Sequence, residues 1–150
     1  MPSPVNRPFR FVVLHHIVGP GFSRTAESHL DWMFEQSKAT SLLTFSTTEV
    51  GSWDSAFELK AFSLPDHRSI YLDYEGPIGH DRGAVQQVIA GTFAWLENHD
   101  DRKVMNLQWS KSDEANLGEP KSASVRFQRI SLREDPGSCE TWSVSFLPGL

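Results

Sequence analysis

Apolar and polar residues along this chain alternate in short runs rather than in long helical stripes. Residues 9–17, 41–48 and 57–63 are rich in β-branched and aromatic side chains, and 69–74 sets Ile70, Leu72 and Tyr74 against Tyr71 and Asp73, the period of a strand. Residues 91–96, 104–109, 124–130 and 141–146 repeat the pattern. Short strands punctuated by single Pro and Gly residues, about eight to ten of them, predict a sandwich or a barrel. The expectation is an all-β fold: a compact, single-domain β-barrel with little helix over residues 9–150, preceded by a flexible N-terminal extension at 1–8.

The segment 26–36 reads differently, because Leu30, Met33 and Phe34 fall at the i, i+3, i+4 spacing of an amphipathic helix. The distinction matters chemically. In a strand His29, Asp31 and Met33 share one face, whereas on a helix His29 and Asp31 point apart. Only the strand lets His29-Leu30-Asp31 present an imidazole and a carboxylate together, about 7 Å apart along the chain. With a third ligand this becomes a two-histidine, one-carboxylate set of the kind that holds Mn, Fe or Zn and leaves positions open for substrate or water. His15, His16 and His67 are the candidates in apolar-flanked segments; His80 and His99 sit among Gly and Asp and read as loop residues. The simpler reading of His-x-Asp is a hydrogen-bonded histidine in a strand.

Composition narrows the function classes. At 150 residues, 39% hydrophobic and 22% charged, the chain can bury a core without staples. Its single cysteine, Cys139, excludes an intramolecular disulfide and a Cys-x-x-Cys motif, so a reducing cytoplasm is the expected location. No apolar stretch has the length of a signal peptide or membrane span. A net charge of −5 argues against a broad basic face for a nucleic-acid backbone, while a pocket for one terminal phosphate needs only a few donors.

Four ordered blocks then resemble a known family. Phe11-Val12-Val13-Leu14-His15-His16 is followed by His29-Leu30-Asp31-Trp32-Met33-Phe34-Glu35. Next come Asp66-His67-Arg68-Ser69-Ile70-Tyr71-Leu72-Asp73-Tyr74-Glu75-Gly76 and finally Gly91-Thr92-Phe93. Over roughly residues 9–96 this order is similar to that of the 3′-phosphoesterase domain of bacterial DNA ligase D; residues 97–150 add little. The resemblance implies a small β-barrel enzyme, dependent on Mn²⁺ (with Zn²⁺ the other candidate), that removes 3′-phosphates or 3′-terminal ribonucleotides from DNA ends during repair. It implies His16, His29 and Asp31 as metal ligands, and His67 and Tyr71 as catalytic groups at the phosphate. The partners it implies are DNA 3′ ends or another phosphate ester, with a repair ligase or polymerase acting in trans and no membrane.

Two departures from the family pattern are informative. Met33 stands where the family carries an arginine, and methionine offers neither charge nor donor to a phosphate. Arg68, beside His67, is the first candidate to bind phosphate in its place, with Lys60 and Arg82 behind it. The connection from His16 to His29 is also longer than the family's, and a one-residue slip of the first strand would present His15 instead. The competing functions are a non-catalytic module that binds metal or a phosphate end, and a non-haem iron oxygenase built on His29, Asp31 and His67. Trp32, Trp53, Trp95, Trp109 and Trp142 read as packing, Glu75-Gly76 as a turn, and 97–103 as a solvated loop.

Overall fold

In a computed structural model of the chain, the described residues are 8–17, 28–37, 40–78, 83–110, 120–131 and 140–149. Arg82, His80 and Cys139 lie outside them, as does all of the expected N-terminal extension but Pro8. Nine strands follow in chain order: β1 Phe9–Ile17, β2 His29–Phe34, β3 Ser41–Thr47, β4 Phe57–Arg68, β5 Gly76–Pro77, β6 Ala84–Asn98, β7 Arg102–Ser110, β8 Pro120–Ser131 and β9 Thr141–Pro148. Among the described residues the one helical element is the 3-10 turn Ser69–Leu72.

The sheet runs β1-β2-β3-β4-β9-β8-β7-β6, and β1 pairs back onto β6, closing an eight-stranded antiparallel barrel. The short β5 adds onto the start of β6. Closure leaves no long edge open to pair with another chain. The register explains the interior. Phe11 and Val13 of β1, Leu30, Trp32 and Phe34 of β2, Phe45 of β3 and Phe127 of β8 meet in one core. Phe45 stacks on Phe127 at 4.2 Å, and Trp32 meets Phe127 edge-on at 5.8 Å while donating from Nε1 to Thr47 Oγ1 at 3.0 Å.

A second, smaller core lies outside the barrel. Val12 and Leu14 of β1, Met33 of β2, Leu42 of β3 and Val85 of β6 are buried under Leu72, with Tyr71, Tyr74 and Ile78 packed against them. The chain from Asp66 to Ile78 is thus a strap across the outer face of the barrel, and β1 and β2 are buried on both sides. This resolves the helix-or-strand ambiguity for the described part of segment 26–36, where β2 runs from His29 to Phe34. Leu30 and Phe34 face the interior and Met33 the strap, so a strand buried on both faces imitated helical spacing.

The strap also replaces the strand expected over 69–74. Leu72 is the buried side chain of that segment and Ile70 is 56% exposed, so the alternation does not define one apolar face. After Arg68 pairs with Ser41 the chain leaves β3 and turns across the barrel, where a 3-10 turn, not a ladder, satisfies the direction change. Segment 97–103 is shorter as a loop than expected: β6 continues to Asn98 and β7 begins at Arg102, so only residues 99–101 connect them. The tryptophans serve packing. Trp32, Trp109 and Trp142 are buried, and Trp53 and Trp95 pack against the core. No helix among the described residues is long and apolar enough to cross a membrane.

Candidate metal centre

The pairing of β1 with β2 sets His16 directly opposite His29, and Asp31 opposite Leu14. Strand alternation puts His29 and Asp31 on the outer face, opposite to Leu30 and Trp32 of the core, and His16 follows Leu14 and Val12 onto that same face. The result is a compact trio. Nε2 of His29 lies 3.2 Å from Oδ1 of Asp31, Nδ1 of His16 lies 3.9 Å from Oδ2, and the two imidazole rings meet edge-on at 4.9 Å. One donor atom from each residue falls within 4.8 Å of the others. The longer connection between β1 and β2 therefore does not disturb the pairing of its ends. His15, one residue back, turns the other way and sits 2.8 Å from Glu49 Oε1, which settles which of the two adjacent histidines shares a face with Asp31.

Asp31 is 4% exposed, and its Oδ1 is buried without a hydrogen bond of acceptable geometry. A desolvated carboxylate oxygen left so is costly. Two imidazoles and this carboxylate are a donor set for a divalent cation with bonds of about 2.1 Å, and such a cation would satisfy the orphaned oxygen. Closing the donors onto it needs side-chain rotation, because the β1–β2 ladder already fixes the backbone. The residues present fit the metal that the resemblance implies.

The remaining expected residues form a second group on the strap. The rings of His67 and Tyr71 meet edge-on at 5.9 Å, and Arg68 Cζ lies 5.9 Å from the Tyr71 ring centre. Nδ1 of His67 lies 2.9 Å from the Pro65 carbonyl; a carbonyl only accepts, so Nδ1 carries the proton and Nε2 is the nitrogen left for a ligand. Tyr71 also packs on the second core, beside Met33 and Leu42. Contacts run within the trio on β1 and β2, and within His67, Arg68 and Tyr71 on the strap. Met33, buried to 1% exposure, is one of the packing residues of that second core. Of the candidate replacements for the missing arginine, exposed Arg68 stands with Tyr71, and Lys60 stands on β4 opposite Ser143.

Sequence reasoning missed what fixes the strap. Asp66 Oδ2 accepts from Gln36 Nε2 and Ser41 Oγ, each at 3.0 Å. Asp73 accepts from both terminal nitrogens of Arg10, at 3.3 and 2.5 Å, and Glu75 Oε2 accepts from the backbone N–H of Gln87 at 2.7 Å. Three carboxylates thus hold the segment that carries His67 and Tyr71. Their partners lie far along the chain, so no local spacing reveals them. Where a turn is expected at Glu75-Gly76 the chain instead enters β5: Gly76, at φ 131°, pairs with Val85 of β6.

The Arg10 hydrogen bonds, assisted by its charge, hold the Asp73 carboxyl below its ordinary value of 3.8, against slight desolvation. A carboxyl depressed in the folded state stabilises fully above its unfolded value, and the contribution disappears as pH falls through the lower, folded value. The strap is therefore expected to loosen only below about pH 4, by a small amount because the pair is exposed. Amide hydrogen exchange at residues 69–74, compared between pH 6 and pH 3, checks this; Arg10→Ala should already show the loosened exchange at pH 6.

No family model matches the chain, and no curated protein matches it in sequence. What fold and site define is a class: a closed antiparallel β-barrel with a two-histidine, one-carboxylate cluster on its outer wall, beside a strap carrying histidine, arginine and tyrosine.

Proposed function

We propose that this protein is a divalent-metal-dependent phosphoesterase of the DNA ligase D 3′-end-processing type, acting on 3′-phosphate or 3′-ribonucleotide ends of DNA or on a related phosphate ester. The observation that carries the reading is the assembly of His16, His29 and Asp31, from two separate sequence blocks, into one buried-carboxylate cluster. When bound there, a divalent cation, Mn²⁺ before Zn²⁺, supplies Lewis-acid polarisation of a phosphoryl oxygen. Asp31 contributes the charge, and His16 and His29 the neutral nitrogens. His67 holds a proton at Nδ1 against Pro65 and offers Nε2 to the ester. The Tyr71 hydroxyl orients it, and Arg68 donates to the phosphate in place of the motif arginine.

The net charge of −5 fits recognition of a terminal group better than a grip on the duplex, so a repair ligase or polymerase in trans is the natural recipient of the cleaned end. The single cysteine fits a reducing cytoplasm. His67 stands with Tyr71 and not in the trio, so the reading needs His16, not His67, as the second histidine ligand.

The test is a primer assay with 3′-phosphate and 3′-ribonucleotide ends, with and without Mn²⁺, beside Asp31→Ala. Release that requires both Mn²⁺ and Asp31 is the expected result. Metal-dependent binding of the ends without release would instead establish a non-catalytic end-binding module, which the packing role of Met33 favours as the second reading.

A further inference from the structure

On the outer wall, the β2–β3 register sets Asp31 opposite Ser46, and the β3–β4 register sets Ser46 opposite Phe62. The neighbours Trp32, Phe45 and Ala61 all enter the core, so Asp31, Ser46 and Phe62 form one outward row. Of the described aromatic side chains, Phe62 alone is among the exposed large hydrophobic residues, at 40%, while all five tryptophans are committed to packing. Thr141 stands opposite Phe62 on β9, and exposed Lys60 precedes it by two residues on the same face. Each step across a ladder separates side chains by about 5 Å, which sets Phe62 roughly 10 Å from Asp31, with small, half-buried Ser46 between.

Resting on the phosphoesterase reading, we infer that Phe62 is the platform on which the terminal nucleobase stacks when its 3′-phosphate is held at His16, His29 and Asp31. A phosphate held through a cation stands off Asp31 along this row, and the base of the same nucleotide then reaches Phe62. An exposed ring with Ser46 and Thr141 beside it and Lys60 nearby suits a single base followed by a backbone phosphate, whereas a protein partner would require a wider apolar surface. The stack takes any base, so the platform selects nucleotide esters over simple phosphates without selecting sequence.

The experiment is fluorescence anisotropy of a short single-stranded DNA with a 3′-phosphate, in Mn²⁺, with inorganic phosphate as competitor. Phe62→Ala should weaken DNA binding by about tenfold, the loss of one base–aromatic stack, leave competition by inorganic phosphate unchanged, and be rescued by Phe62→Trp. DNA binding that needs Asp31 but is unchanged in Phe62→Ala would overturn the platform while leaving the phosphoesterase reading intact. Binding lost equally for DNA and inorganic phosphate in Phe62→Ala would overturn it too, as would failure of the wild type to bind the DNA. Binding that needs Phe62 but not Asp31 would defeat both readings together.

Discussion

Asp31→Ala should abolish every metal-dependent property of the protein while leaving the barrel folded. Asp31 provides the negative charge of the trio and both oxygens that approach His16 and His29; two neutral imidazoles alone make a much weaker site. A ligand present at a hundred times its dissociation constant stabilises the folded state by about 2.7 kcal/mol, or roughly 5–10 °C in melting temperature for a domain of this size. Wild-type protein titrated with Mn²⁺ should show a rise of that order in a thermal scan, and Asp31→Ala none. Without metal the two should melt within a few degrees of each other, because the substitution removes a buried carboxylate whose Oδ1 has no hydrogen bond. Activity on a 3′-phosphate end should fall to background in the same variant.

Gly91→Ala should cost more stability than any other small substitution considered for this chain. Gly91 pairs with Phe11 of β1 and Trp109 of β7 at the point where the barrel closes. A Cβ there would lie 1.9 Å from the Gln108 carbonyl oxygen and 2.9 Å from Trp109 Cα. Both are backbone atoms of the neighbouring strand, so relief requires β6 to separate from β7. A loss of roughly 3–5 kcal/mol is expected, at the upper end for single substitutions, with the melting temperature falling by about 10 °C or more. Gly51→Ala is the control: nothing lies within 4 Å of its Cβ, and thermal unfolding followed by circular dichroism should barely change.

Gly91 also shows how a resemblance and a structure divide the information. As part of Gly91-Thr92-Phe93 it counts as a motif residue, yet its physical role is close approach of two strands, with Phe93 buried in the core. The all-β class was legible because period-two runs and turn residues alternate along the whole chain. His29 and Asp31 were legible as a pair because strand geometry puts i and i+2 on one face. His16 could be chosen over His15 only once β1 and β2 were seen in register. The strap was not legible. Its 3-10 turn mimics strand alternation over three apolar residues, and its anchors pair Asp66 with Gln36 and Ser41 and Asp73 with Arg10, which local pattern cannot join. Phe62 escaped notice for the same reason, since its meaning comes from a row across three strands.

Whether His16, His29 and Asp31 bind a divalent cation is read most directly by electron paramagnetic resonance of the protein titrated with Mn²⁺, with pulsed detection of coupled nitrogen. One tightly bound Mn²⁺ per chain is expected, carrying nitrogen couplings from two imidazoles, with His16→Ala or His29→Ala each removing one of them. A bound ion without nitrogen coupling, or Mn²⁺ left free at concentrations equal to the protein's, would contradict it.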